Sequence, residues 1–517
     1  MTTPMTDPMT DPTAGPTAGS TRSLEARGRW GVASPHALAS AAGADVLRDG
    51  GNAVDAALAA AAVLAVVLPN QCAVGGDLIA LVALPDGSAH VLNASGRAPA
   101  GVDVEAIRAR GHRVPVDGAA PVTVPGVVDG WHELARRWGS RPLTAPLRLA
   151  AGVARDGVPV SAGLARDLAL ESGRIRADAG LSEVLAPGGS VLRQGQTLRQ
   201  PRLADTLDLL ADGGRDAFYT GDVAASLANT LRADGSAITV DDFSAHVSTL
   251  EEPLGARFGD EEYLSSGGNT QGGFFLAGLR EIDGLGRLPD PLGPDAGLLC
   301  RILARQSSAR DARLGDPAHG ATPGGDTVAI VAVDDSGHWV SLIQSVFHAF
   351  GAGLLDPATG VLLHNRGAAF DLTPGSPALL AGGRRPPHTL MPVLVRDAGT
   401  ARVLGAHGTM GGRAQPQIHT HLALHLALGR TVLDAVSSPR WLAGRMEAGG
   451  AEAPTVHYER DLPEPARRSL AGTGLPVHAL PARDDGAGHA HLIRSRAGRL
   501  DVATDPRADG AALTDDS

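Results

Sequence analysis

The chain has 517 residues and a formal net charge of −11, with 43% apolar residues but only 3% aromatic ones. That length allows a large core built mainly from Ala, Val and Leu, and the acidic balance argues against sequence-independent nucleic-acid binding, which needs a basic face. All 45 basic residues are Arg, so Schiff-base lysines, Ser–Lys dyads and the P-loop lysine are excluded together.

The first 22 residues are rich in Thr, Pro, Ala and Gly and lack the basic and apolar regions of a signal peptide. A disordered tail is expected over residues 1–25. Ser34 is a candidate N-cap with Pro35 at the first helical position, and the helix ends at Gly50-Gly51. Asn52 starts a second helix through Leu68, apolar on nearly every side and too short to span a membrane. After the tight glycine turn Gly75-Gly76-Asp77, Leu78–Leu84 and Ala89–Asn93 read as a hairpin. Residues 103–242 are mainly helical, 254–263 extended, and a loop follows at Gly267–Gly273. A helix around 296–309 precedes a second loop, residues 314–325. Val328–Val333 and Trp339–Val346 flank Asp334-Asp335-Ser336-Gly337, a hairpin turn and not an acid/base pair. Further strands fit 360–364, 391–396 and 402–406, and a helix fits 417–428. Residues 506–517 are expected to be a second disordered tail. Paired strands with grouped helices suggest layers of helix and antiparallel sheet. Cys72 and Cys300 are too few for a disulfide framework and fit buried positions in a reducing compartment.

Thr327 heads a β-branched run after a flexible Pro-Gly-Gly lead. A threonine hydroxyl is a poor nucleophile without an adjacent base. If the Asp326–Thr327 bond is cut, the freed α-amine of Thr327 becomes that base. There is no GxSxG elbow and no HExxH or Cys-pair metal spacing. His419, His421 and His425 read as a partly buried helix face, so neither a metal nor a cofactor is expected.

Several segments occur in one order: Gly31–His36, Gly50–Ala57, Gly75-Gly76, Ser95–Pro99, Val122–Gly126, Leu203–Leu207, Ala217–Gly221, the Thr327 strand, Phe350–Gly353, Arg384–Pro386, Gly411-Gly412 and Pro439-Arg440. In this order they resemble the γ-glutamyltranspeptidase family. The resemblance implies an α+β fold, the four-layer αββα sandwich of N-terminal-nucleophile hydrolases. It implies self-cleavage before Thr327, with a large-subunit region 26–326 and a small-subunit region 327–505 in one domain. By the same resemblance Thr327 is the nucleophile, Ser345 the hydroxyl that assists it, and Gly411 and Gly412 the oxyanion hole.

The departures point away from a standard γ-glutamyl substrate. Val328 stands where the glutathione-processing branch has a second Thr, Ala369 where an Asp grips the substrate amine, and His388-Thr389 where a Ser pair holds the carboxylate. Arg97, Arg366, His388 and Thr389 would form an anion-binding pocket without an ammonium clamp. The strings Gly325–Val328, Asn365–Ala368, His388–Leu390 and Gly408–Gly412 are similar to the oxamate amidohydrolase-like branch. That similarity implies a cofactor-free, cytoplasmic amidohydrolase or acyltransferase for a small amide, made of two associated fragments and without a nucleic-acid or membrane partner. A homo-oligomer stays open. The alternatives are a true γ-glutamyl hydrolase or transpeptidase acting on glutathione-like substrates, and an uncleaved, non-catalytic binding relative.

Overall fold

Two stacked seven-stranded sheets, each covered on its outer face by helices, form the computed structural model, which describes residues 23–314, 326–444 and 454–517. One sheet runs, edge to edge, Ala511–Thr514, Gly31–Ser34, Asp326–Val333, Trp339–Phe347, Asp77–Ala83, Ala89–Asn93 and Thr249–Glu251. The other runs Glu25–Gly28, Arg499–Thr504, His489–Arg496, Val403–Met410, Val393–Asp397, Glu261–Ser265 and Leu254–Phe258. Every pairing within the two sheets is antiparallel. This is the expected αββα sandwich.

Alternation along Asp326–Val333 builds the layers. Val328, Ile330 and Ala332 face the helices, whereas Ala329, Val331 and Val333 face the opposite sheet. Both faces are covered, so the strand reads as an unbroken apolar run. At Gly408 an added Cβ would lie 2.9 Å from the Ala329 Cβ, so the sheets approach closely there. The helix Ala53–Val67 lies under the first sheet with all 15 residues buried, which is why it is apolar all round. Asn52 caps it: its Oδ1 accepts the Asp55 N–H at 3.0 Å, and the Asp55 carboxylate accepts the Asn52 N–H at 3.0 Å.

Four expectations need correction. His36, not Ser34, caps the first helix, Ala37–Arg48; Ser34 ends a strand and its hydroxyl bonds to Ser40 at 2.8 Å. Residues 360–364 form isolated bridges instead of a strand, because Gly360 turns the chain at φ 69°. Residues 506–517 are not a disordered tail, since Ala511–Thr514 is the edge strand of the first sheet. That short, Ala-rich segment carries little signal of its own and is ordered by pairing with Gly31–Ser34. The expected tail at 1–25 lies outside the described residues up to 22, but Glu25 already pairs with Ala503.

Candidate active site

Thr327 sits one residue into the strand Asp326–Val333, 1% exposed, beside Ser345 of the sheet's central strand, Trp339–Phe347. Its hydroxyl donates to Ser345 Oγ at 3.1 Å. Ser345 Oγ in turn donates to the Asp326 carbonyl at 2.6 Å and accepts the Phe347 N–H at 2.8 Å. Two hydroxyls therefore link the Thr327 side chain to the carbonyl of the peptide bond before it. The strand register shifts at this point, pairing Asp326 with Phe347 and Thr327 with Ser345. Phe347 absorbs the bulge in a left-handed conformation, φ 79°, which costs a non-glycine residue on the order of 1–3 kcal/mol.

Asp326 also lines a cavity of about 450 Å³ with Arg166, Asp167, Glu171 and Asp485. Burial, together with the Asp167 and Asp485 carboxylates, raises the Asp326 carboxyl well above its ordinary range.

The Phe347 ring extends the site on the other side. The Arg366 guanidinium lies 3.3 Å from its centroid and donates to Thr389 Oγ1 at 3.1 Å. Arg366 and Thr389 are both buried. Ala369 packs in a small apolar cluster with Phe347 and Ala368.

His388 is held from both ring nitrogens. Nε2 meets Asp77 Oδ2 at 3.2 Å, and Nδ1 accepts the Leu390 N–H at 3.3 Å. Burial pushes its imidazole down to about 4, against the pull of the Asp77 hydrogen bond. Asp77 is itself buried opposite Ser345, takes the Gly96 N–H at 3.0 Å, and lies 3.4 Å from His364 Nδ1. Burial would raise its carboxyl, but His364 and His388 outweigh burial and hold it well below the usual carboxylate range. Arg97 stands apart: it is exposed and donates to the Gly383 carbonyl at 3.0 Å.

Gly411 and Gly412 follow the strand Val403–Met410 of the opposite sheet. Their φ values of 148° and 52° suit glycine. An added Cβ at Gly411 would come within 2.6 Å of Ile418. Neither N–H meets a protein acceptor among the described residues. Gln271 ties this turn to Thr389, since its Nε2 donates to the Thr389 carbonyl at 2.7 Å and to the Gly412 carbonyl at 2.8 Å.

A continuous path thus runs Thr327, Ser345, Phe347, Arg366, Thr389, Gln271, Gly412. The structure brings together Thr327, Ser345, Arg366, His388, Thr389 and Gly412 with its neighbour Gly411, and leaves Arg97 aside. Asp77, His364, Gln271 and Phe347 escaped the sequence reading. Only Asp77, directly after a glycine pair, carried any signal there. His419, His421 and His425 are buried in the helix Gln415–Ala427. Among the described residues no three His, Cys, Asp or Glu side chains are grouped as metal ligands.

The family model for gamma-glutamyltranspeptidase matches residues 39–323 and 300–514. The chain belongs to this family and is an N-terminal-nucleophile amidohydrolase. It is 36% identical to the oxamate amidohydrolase proenzyme of Klebsiella pneumoniae subsp. pneumoniae, covering 93% of this chain and 97% of that one. It is 32% identical to the glutathione hydrolase-like YwrD proenzyme of Bacillus subtilis, covering 93% and 98%. The crystal structure of cephalosporin acylase from Bacillus halodurans superposes with a TM-score of 0.84 at 29% identity, covering 98% of this chain and 99% of that chain. No described helix is long and apolar enough to cross a membrane.

Proposed function

We propose that this chain cuts itself between Asp326 and Thr327 and then hydrolyses a small amide bearing one carboxylate through an ester on Thr327. The hydroxyl relay from Thr327 through Ser345 to the Asp326 carbonyl carries this reading. In self-cleavage the Thr327 oxygen attacks the Asp326 carbonyl carbon. Its proton passes to Ser345, whose own proton meets the developing oxyanion. The C–N bond breaks, nitrogen takes a proton, and water hydrolyses the resulting ester to give the Asp326 carboxylate and a free Thr327 amine. That amine is then the base for turnover. In turnover, the free N–H groups of Gly411 and Gly412 stabilise the tetrahedral oxyanion, a role typically worth 10²–10³ in kcat per donor. The leaving amine departs, and water releases the acid.

Arg366 with Thr389 supports an anionic substrate group, and the methyl of Ala369 leaves no acid for an α-ammonium. Oxamate, named for the Klebsiella relative, has that chemistry: one amide, one carboxylate, no amine. His388, held by Asp77, positions Thr389. Two separate buried thiols, Cys72 and Cys300, fit a reducing cytoplasm. Ammonia release from oxamate, run beside a γ-glutamyl anilide assay, tests the substrate. Turnover of the anilide with none of oxamate would reverse the assignment in favour of γ-glutamyl transfer.

A further inference from the structure

Residues 266–271 form a clasp on the far side of the site. The turn is closed by Ser266 and Thr270, whose hydroxyls bond at 2.9 Å. It leads into the helix Gly272–Asp283, and an added Cβ at Gly272 would lie 2.3 Å from the Ser266 carbonyl. From this turn Asn269 donates to the Pro386 carbonyl at 2.7 Å and accepts the His388 N–H at 2.7 Å. Gln271, fully buried, spends both amide protons on the carbonyls of Thr389 and Gly412. All four bonds run from the sequence before Thr327 to the sequence after it.

We infer that Gln271 is a positioning residue for the oxyanion turn, fixing the Gly411–Gly412 donors relative to the Thr389 side of the substrate pocket. This rests on the proposed role of that glycine pair. The glycines cannot fix themselves, because two adjacent residues without Cβ have the widest conformational freedom in the chain. The Gly411 carbonyl is held by the Ala414 N–H at 2.8 Å, which sets the peptide plane carrying the Gly412 N–H. The Gly412 carbonyl is held by the Gln415 N–H and by Gln271, and among the described residues only Gln271 connects it to a segment outside its own turn. Self-cleavage does not use these donors, since Ser345 serves the Asp326 carbonyl. Loss of Gln271 should therefore damage turnover and spare maturation.

The test compares wild type, Gln271→Ala and Gln271→Glu in three measurements: fragment masses, kcat and KM for the hydrolysed amide, and acylation of Thr327 by a small β-lactone read on the small fragment. Both variants should appear as two fragments. Gln271→Ala should lose about 10- to 100-fold in kcat and in acylation rate, with KM within about threefold. A buried Glu is protonated to higher pH than usual and then keeps one donor. Gln271→Glu should accordingly retain partial activity at low pH and lose it as pH rises, where wild type does not. This pH dependence decides the matter even if Gln271→Ala fails to fold. Acylation and kcat within twofold of wild type in Gln271→Ala, or a Gln271→Glu profile parallel to wild type, would overturn the inference alone. Absence of acylation in wild type would instead remove the Thr327 mechanism on which it depends.

Discussion

Phe347 joins two processes that a sequence lists separately. Its backbone, in the left-handed region, places an N–H on Ser345 and makes the bulge at the Asp326–Thr327 bond. Its ring carries the Arg366 guanidinium. A desolvated cation over an aromatic face contributes about 2 kcal/mol. Phe347→Leu keeps the backbone constraint and removes the ring, so self-cleavage should proceed while KM for an anionic amide rises roughly 10-fold. Equal KM values in Michaelis kinetics of the two proteins would mean that Arg366 does not hold the substrate carboxylate. At this scale the sequence was legible where chemistry demands a residue type, as at Thr327, which folding sets beside the expected Ser345. It was silent where a residue's role follows from its backbone angle or from contacts made by folding. Phe347 and Gln271 are of that second kind.

The strands of the two proposed fragments interleave. In the first sheet Gly31–Ser34 lies between Ala511–Thr514 and Asp326–Val333, and Asp77–Ala83 pairs with Trp339–Phe347. Scission before Thr327 therefore leaves two chains that cannot part without breaking both sheets. The C-terminal strand is the clearest case. Ala512 and Thr514 are buried, Ala512 N–H reaches the Ser23 carbonyl at 2.9 Å, and Ser40 Oγ holds the Ala511 carbonyl at 2.8 Å. A chain ending at Arg507 would lose these bonds and expose the edge of Gly31–Ser34. The expected loss is about 3 kcal/mol, or roughly 3 °C in Tm for a molecule of this size. An unchanged Tm in calorimetry would contradict the structural role of this strand. Long helices and apolar strands were readable from periodicity, and the Asn52 cap from its own chemistry. Ala511–Thr514 was not, because its order comes from a partner hundreds of residues away.

Across the whole molecule, buried imidazoles set the response to acid. Burial pushes His407, His421 and His491 down to about 3 and His246 and His388 to about 4. In the unfolded chain each takes a proton near pH 6.5. Below that pH the unfolded state binds more protons than the folded one. Their contribution is thus complete above about pH 6.5 and shrinks as pH falls towards 4, by up to ~1.4 kcal/mol per pH unit for each imidazole. Asp167 and Asp326, raised by burial, act in the opposite sense. Tm should drop by roughly 10 °C between pH 7 and pH 5; a flat profile there would show that these rings are protonated in the fold. The most direct test of the central claim is the intact mass and N-terminal sequence of the purified, active protein. Two fragments ending at Asp326 and beginning Thr-Val-Ala-Ile are predicted for wild type, and a single inactive chain for Thr327→Ala. Full activity in an uncut wild-type chain would contradict the account.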